Sequence, residues 1–359
     1  DVKYFPLGEE MLDAMIEDLK KAERYIFMEY FIIGSGVMLD QILDILKEKV
    51  KHGVVVRIIY DDFGSINAIP PHFIKEMESI GIQTRRFNPY KPMLSVIMND
   101  RDHRKILVID GRVAHTGGYN IADEYINKKI RFGYWKDAGI RVEGECVNSF
   151  TTMFLEMWNY INKDNAVHDE YLNPHNTFSQ SEKSGFVQPF CDSPLEHDDV
   201  GENLYVSIIS RAKKYVYIFT PYLILGTELS HAMISAARSG VDVRIVVPKI
   251  PDKKLIYLQT KANFRPLIEA GVRIYLYTPG FIHSKCIVAD DDTAIVGTCN
   301  LDFRSMYWNF EDFVYMYRTQ CIGKIKEDAI ETFAVSEEVY EESTNDISFA
   351  GRLLQSILQ

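Results

Sequence analysis

The chain has 359 residues, of which 47% are hydrophobic, and its formal net charge is −11. This length is enough for two ordinary domains with substantial cores, and the composition is typical of a soluble α/β protein. The acidic balance argues against a general nucleic-acid-binding protein, which normally presents a basic surface. Five cysteines, an odd number with no C-x-x-C pair, argue against a disulfide framework and predict reduced thiols in a cytosolic environment.

The first predicted elements alternate between helix and strand. Residues 9–22 carry Leu12, Met15, Ile16 and Leu19 on one stripe, which predicts an amphipathic helix. The apolar runs that follow predict strands at 25–33, 54–60 and 81–87, with a second helix at 37–51. This alternation predicts a mixed α/β sheet with crossover connections. No apolar run reaches about 18 residues, so no membrane-spanning helix is predicted within these residues.

The next segment carries the chemistry and occurs twice. It reads HRKILVIDGRVAHTGGYN from His103 and HSKCIVADDDTAIVGTCN from His283. The histidine and lysine stand two residues apart, so in a strand they point to the same face. Every matched position is displaced by 180 residues, which indicates an internal duplication of these functional positions: His103, Lys105, Asp110 and Asn120, repeated as His283, Lys285, Asp290 and Asn300.

The surrounding elements repeat as well. Residues 22–32 match 212–222 at an offset of 190, and 52–60 match 239–247 at an offset of 187. A polar, turn-rich stretch between the halves has the composition of a linker. The sequence therefore predicts two α/β sandwich lobes with mixed sheets, related by pseudo-twofold symmetry, whose motifs meet at the seam: a first lobe at 1–162, a linker at 163–184 and a second lobe at 185–359.

Paired histidines and lysines suit a phosphodiester substrate. One neutral imidazole can attack phosphorus, and a protonated one can donate to the leaving alkoxide. Lys105 and Lys285 would hold the non-bridging oxygens, with Asn120 and Asn300 as neutral donors. A zinc site is disfavoured because the partners are lysine and asparagine, so no metal and no cofactor is expected. The motif residues Asp110 and Asp290 could suggest acid catalysis, but they follow four apolar residues at a turn and are expected to brace it.

The duplicated pattern resembles the HKD motif of the phospholipase D superfamily. Flanking sequence segments narrow the resemblance to the bacterial cardiolipin synthase family. These segments include YFPLGEE, FNPYKP, RIVVPKIPDK and VGTCNLDFRSMYWNFE. This resemblance implies that one phosphatidylglycerol forms a phosphatidyl-histidine, and a second one attacks it to give cardiolipin and glycerol. It implies His103 as nucleophile and His283 as acid/base, and it offers Asp137 for the first motif and Glu311 for the second as carboxylates that orient the histidines.

Further substrate contacts are expected beside the motifs. Lys128, Lys129 and Arg131 form a basic cluster, and Arg304 and Ser305 follow the second motif. A solvated surface explains the basic cluster equally well. Rival functions are a phospholipase D-type hydrolase, a nuclease of the same superfamily and a lipid-binding scaffold without catalysis.

The resemblance also bears on location. It implies phosphatidylglycerol and an anionic membrane surface as partners, no nucleic acid, and leaves a homo-oligomer open. The catalytic part is expected on the cytoplasmic side of the cell membrane, with hydrophobic N-terminal segments absent from this chain. The first half has about ten extra residues within 90–102, which either pack on a lobe or dip into the membrane, with cations adding attraction to lipid: Lys91, Arg101 and Arg104.

Overall fold

The structure, a computed structural model, describes residues 1–89, 100–172, 185–196 and 198–341. The first half runs β1 (Val2–Phe5), α1 (Gly8–Lys20), β2 (Tyr25–Tyr30), α2 (Val37–Lys51), β3 (Val55–Asp61), α3 (Asp62–Ser65), α4 (Phe73–Ser79), β4 (Gln83–Phe87), β5 (Arg101–Asp102), β6 (Lys105–Ile109), β7 (Val113–Gly117), β8 (Tyr134–Lys136), β9 (Gly139–Glu143) and α5 (Val147–Asn162). Short 3-10 helices lie at Asp123–Ile126 and Asp169–Tyr171.

The second half follows the same plan. It runs β10 (Phe186–Asp192), α6 (Val200–Arg211), β11 (Tyr215–Phe219), α7 (Thr227–Arg238), β12 (Asp242–Pro248), α8 (Lys254–Ala262), α9 (Phe264–Glu269), β13 (Arg273–Tyr277), β14 (Gly280–Ile282), β15 (Cys286–Ala289), β16 (Thr293–Gly297), α10 (Phe303–Tyr307), β17 (Asn309–Tyr317), α11 (Cys321–Ala334) and β18 (Ser336–Val339).

The two large sheets have the same strand order. The first is β1-β9-β7-β6-β2-β3-β4, and the second is β10-β17-β16-β15-β11-β12-β13 with β18 added at its edge. In both, three parallel strands joined by helical crossovers continue into an antiparallel motif hairpin. The predicted mixed α/β fold with duplicated lobes is confirmed, and the predicted helix at 37–51 has the observed bounds of α2.

The core has three parts because both sheets are covered on both faces. Helices α1 and α2 bury their apolar stripes on the outer face of the first sheet, and α6, α7 and α9 do so on the second. Between the sheets, α5 and α11 pack with side chains of both halves into one central cluster. Strands β2 and β6 are accordingly buried along their whole length, as the continuous apolar runs predict.

Two short ladders join the halves. Strand β5 pairs in parallel with the start of β17, and β14 pairs in parallel with β8. Among the described residues, no helix is both long enough and apolar enough to cross a bilayer. All five cysteines are free thiols.

The apolar part of the segment at 90–102 lies outside the described residues, but two of its expected lipid-facing cations do not. Arg101 is 4% exposed and forms an ion pair with Asp61 at 3.3 Å, and Arg104 is equally buried, 3.7 Å from Glu29. The expectation that these two arginines attract anionic lipid was therefore wrong. The reason is that β5 is covered by the second half, which turns both side chains inward.

Candidate active site

Each motif histidine follows a strand that is paired to the other half of the molecule. His103 comes directly after β5, and its N–H donates to the Phe310 carbonyl at 2.9 Å. His283 comes directly after β14, and its N–H donates to the Lys136 carbonyl at 2.8 Å. Both imidazoles line a single cavity between the halves. The ladders therefore bring together two residues that are 180 positions apart in the sequence.

The carboxylate beside each histidine comes from the opposite half of the molecule. His103 Nδ1 lies 2.8 Å from Glu311, and His283 Nδ1 lies 2.7 Å from Asp137. Both carboxylates are those expected from the sequence, but each was expected beside the histidine of its own half, and that assignment was wrong. The cause is the pairing of β5 with β17 and of β14 with β8, which places each carboxylate beside the histidine of the opposite half.

The residues that contact the two carboxylates differ between the halves. A Cβ added at Gly118 would lie 2.0 Å from Asp137 Oδ1, so this position needs glycine. The matched residue in the second half is Thr298, and its hydroxyl donates to Glu311 at 2.5 Å. Asn309 donates its side-chain amide to the same carboxylate at 3.1 Å. The two halves thus hold their carboxylates by different contacts.

The electrostatics of the two pairs differ. Burial raises the pKa of Glu311 to about 7, against the opposing effect of Lys105. Burial acts in the same direction on Asp137, but His283 and Lys285 outweigh it and hold the pKa of that carboxyl below its usual value. Burial, assisted by nearby lysines, lowers the pKa of His283 to about 4 and that of His103 well below its ordinary value. Neutral imidazoles that donate from Nδ1 keep a lone pair on Nε2.

Both motif lysines are buried beside the backbone of the histidines and do not themselves line the cavity. Lys105 Nζ donates to the His103 carbonyl at 2.5 Å, and Lys285 Nζ donates to the His283 carbonyl. Burial lowers the pKa of Lys105 to about 8 and that of Lys285 to about 7. An entering phosphate anion would favour the charged ammonium form of both, because opposite charges stabilise each other strongly in a buried site.

The motif asparagines are held by hydrogen bonds on their own halves. Asn120 accepts from the Ile32 N–H at 2.9 Å and donates to the Tyr125 hydroxyl at 2.6 Å. Asn300 donates to the Ser305 hydroxyl at 3.0 Å, while its buried Oδ1 has no hydrogen-bond partner among the described residues. Both asparagines line the cavity. Ser305 therefore positions Asn300 in addition to lining the cavity.

Sequence reasoning missed Asp312, which lies under the first motif. Its carboxylate accepts from the Lys105 N–H at 3.0 Å and from the Thr116 hydroxyl at 2.5 Å. Burial raises the pKa of Asp312 to about 6. A signal was present, since two adjacent acids inside the apolar strand NFEDFVYMY are unusual for a buried segment.

Asp110 and Asp290 brace the fold in equivalent ways. Asp110 accepts the backbone N–H groups of Glu23, Arg24 and Tyr25 at 2.7–2.8 Å. Asp290 accepts those of three residues at the start of β11, at 2.6–3.0 Å: Lys213, Lys214 and Tyr215. Neither lines the cavity, so the contacts support the structural role expected from the turn position.

Asp110→Ala is accordingly expected to lower stability and to leave turnover by the folded enzyme unchanged. Three backbone donors, one buried and two partly buried, lose their acceptor, which we expect to cost about 2–4 kcal/mol. Urea unfolding would measure this loss of stability. Activity measured at low temperature in the absence of urea would measure turnover. Loss of turnover with an unchanged unfolding curve would instead assign Asp110 a chemical role.

The cavity has a volume of about 1990 Å³ and is lined by both halves. Four of the five predicted substrate contacts line it, namely Lys129, Arg131, Arg304 and Ser305, whereas Lys128 is exposed outside it. Aromatic side chains contribute much of the remaining wall: Phe31, Phe63, Tyr125, Phe132, Trp135, Tyr222, Phe303 and Trp308. Within the described ranges, no group of three or more histidine, cysteine or acidic side chains is arranged to hold a metal ion.

Comparisons with known proteins give the family and the fold that this chain resembles. A family model described as "Cardiolipin synthase, PLD-like domain" matches residues 15–158 and 205–333. The chain is 39% identical over 352 residues to a cardiolipin synthase of Alkalihalophilus pseudofirmus, covering 98% of this chain and 68% of that protein. It is 48% identical to an uncharacterized protein of Streptococcus mutans, covering 100% of this chain and 77% of that one. The structure resembles phosphatidylserine synthase of Haemophilus influenzae with a TM-score of 0.74 at 15% identity, over 99% of this chain and 92% of that one.

Proposed function

This chain belongs to the cardiolipin synthase family of phospholipase D-like proteins, and we propose that it transfers a phosphatidyl group from one phosphatidylglycerol to another. The observation that carries the proposal is the pair of imidazoles on one cavity, each with a carboxylate at Nδ1 and a lysine two residues away. A binding protein has no use for two such imidazoles, whereas stepwise exchange of a phosphodiester needs both.

In the first step His103 Nε2 attacks phosphorus, and the bond from phosphorus to the glycerol oxygen breaks. Binding of the phosphate anion, together with ionised Asp137, favours the imidazolium form of His283. His283 then donates its Nε2 proton to the glycerol oxygen, so free glycerol leaves and the phosphatidyl group stays on His103. The terminal hydroxyl of a second phosphatidylglycerol then gives its proton to His283 and attacks phosphorus. The nitrogen–phosphorus bond breaks, cardiolipin is released and His103 is regenerated.

The charges of the carboxylates support this division of roles. The lowered pKa of Asp137 keeps it ionised, and an ionised partner stabilises the imidazolium that an acid/base histidine must form. The raised pKa of Glu311, to about 7, gives His103 a partner with less tendency to hold it protonated. A nucleophile must be neutral, so this supports His103 as the attacking residue. Lys105 and Lys285 would offset charge on the non-bridging oxygens.

The proposal is tested by incubating the protein with vesicles of phosphatidylglycerol labelled in its terminal glycerol and separating the products. We expect labelled cardiolipin and labelled free glycerol in equal amounts. Phosphatidic acid with glycerol would show that water resolves the intermediate and that the enzyme is a hydrolase. Binding to the vesicles without any product would favour a scaffold.

Activity is expected to survive EDTA, because Lys105, Lys285 and the imidazolium supply the positive charge that a metal would otherwise provide. The measurement is cardiolipin formation after dialysis against the chelator, with and without added Mg²⁺ or Ca²⁺. Loss of activity that a divalent ion restores would contradict the proposed source of charge. Two successive displacements also predict net retention of configuration at a chiral phosphorus.

A further inference from the structure

Large apolar side chains are exposed on, or directly next in sequence to, segments that line the cavity. Phe63, Phe303 and Trp308 line the cavity and are 45–55% exposed. Ile66, Ile130 and Leu255 do not line it but are neighbours in sequence of lining residues, and Ile130 is 83% exposed. We call these six residues, three from each half, the rim. A patch of large exposed apolar side chains around a cavity marks an interaction surface, since isolated surface side chains are not grouped in this way.

Three cationic side chains that line the cavity lie over aromatic rings. The charged groups of Arg131, Lys253 and Arg304 lie 5.0–5.6 Å from ring centroids of neighbouring aromatic residues. Their partners are Phe132, Tyr222 and Trp308, and all of these residues line the cavity. Aromatic rings beside cations suit a membrane interface, where the ring meets the acyl boundary and the cation meets phosphate.

The outermost charges at the mouth are basic although the whole chain is acidic. Lys128, Lys129, Lys253 and Lys254 are exposed, as are Arg131 and Arg304. The acids beside them are less exposed and already have partners within the protein, and two of them lie near these cations: Glu124 is 3.5 Å from Arg131, and Asp252 is 3.8 Å from Lys253. Asp123 accepts from the first N–H groups of α2, Asp302 accepts from the Ser305 N–H, and Asp252 accepts from the Tyr222 hydroxyl. The face toward the cavity mouth is therefore complementary to an anionic surface.

We propose that the rim docks on an anionic lipid bilayer, with its apolar side chains in the acyl boundary and its cations on lipid phosphates. A bilayer fits better than a protein partner, because an anionic surface with an apolar layer beneath it matches both the cations on aromatic rings and the exposed apolar side chains of the rim. A phospholipid would then enter headgroup first, without leaving the membrane. The benefit to turnover rests on the proposed function, whereas the docking itself does not.

Tryptophan fluorescence offers a direct test. The chain has three tryptophans, and Trp135 and Trp158 are 6% and 5% exposed, so Trp308 at 47% is the one that solvent reaches. Adding phosphatidylglycerol vesicles is expected to shift the emission to shorter wavelength and to make it quenchable by brominated acyl chains. The Trp308→Phe variant should lack both effects. An unchanged emission of the wild-type protein at saturating vesicles would overturn the proposal.

A binding experiment tests the apolar part of the rim. The triple variant Ile66→Ser, Ile130→Ser and Leu255→Ser is expected to partition onto these vesicles at least about tenfold more weakly than wild type. The matched control replaces three exposed apolar residues that do not line the cavity, Val167, Phe186 and Ile330, by serine and should bind as wild type does. Equal binding of the rim triple and the control triple to the vesicles would overturn the proposal. It would also be overturned if light scattering showed that the rim triple had lost self-association while vesicle binding was unchanged.

If the triple variant folds poorly, a variant that removes two positive charges beside the cavity tests the proposal instead. Lys128→Gln with Lys254→Gln should weaken binding to anionic vesicles, flatten its salt dependence and leave binding to zwitterionic vesicles unchanged. The control pair, Lys75→Gln with Lys324→Gln, removes equally exposed lysines elsewhere and should change none of these. Equal effects of the two pairs would overturn the proposal.

Turnover separates this proposal from the proposed function. The rim triple contains no residue that lines the cavity, so it should turn over short-chain phosphatidylglycerol dissolved as monomers at the wild-type rate. Rim-dependent vesicle binding without any cardiolipin would overturn the proposed function and support docking. Full turnover on vesicles by a rim triple that binds normally would overturn docking alone.

Discussion

His103→Ala and His283→Ala are each expected to reduce cardiolipin formation by at least about a hundredfold without unfolding the protein. Loss of a general acid or base alone typically costs 10²–10⁴-fold, and loss of a nucleophile removes the covalent route altogether. Product formation from labelled phosphatidylglycerol measures the rate, and thermal unfolding measures stability. His231→Ala is the matched control, because His231 is exposed and does not line the cavity.

Trapping separates the roles of the two histidines. Acid-free quenching of the wild-type enzyme during turnover should yield a phosphoramidate on His103 and none on His283. His283→Ala should still accumulate some labelled His103 with substrates that carry a good leaving group, because such a group needs no proton. A residual rate above about a hundredth of wild type in both alanine variants would contradict the two-histidine mechanism. Label on His283 would reverse the assignment.

Asp137→Asn and Glu311→Gln are expected to lower turnover by about 10³–10⁴-fold, although neither carboxylate is proposed to touch phosphorus. An amide in place of the carboxylate favours the wrong imidazole tautomer and cannot stabilise an imidazolium, and the corresponding change in serine proteases costs about 10⁴-fold. Glu202→Gln is a control for neutralising a buried carboxylate, since Glu202 accepts from the Tyr307 hydroxyl and does not line the cavity.

The crossed pairing makes this prediction specific. In proton NMR of ¹⁵N-histidine-labelled protein, Glu311→Gln should shift the Nδ1 proton signal that His103→Ala abolishes. Asp137→Asn should shift the signal that His283→Ala abolishes. The opposite correspondence would show that each carboxylate serves the histidine of its own half. Unchanged turnover in either amide variant would remove that carboxylate from the mechanism.

The sequence by itself determined the motif residues, the duplication and most of the local elements. These follow from short-range patterns: apolar periodicity sets α1 and α2, continuous apolar runs set the central strands, and a turn position predicts the bracing role of Asp110 and Asp290. The repetition of the same order of elements in the two halves also predicts that their sheets share one plan. None of these inferences needs to know which residues meet across the molecule.

Only the tertiary structure decided how the two halves complete each other. The contact from His103 to Glu311 spans 208 positions, and that from His283 to Asp137 spans 146. Which carboxylate serves which histidine depends on two short ladders between the halves, and strands of two or three residues carry too little pattern to predict their partners. The same ladders turn Arg101 and Arg104 inward and place Asp312 under Lys105. The site forms only where the two halves pack together. Burial and strand pairing at that interface depend on the assembled sheets, so a local stretch of sequence does not predict them.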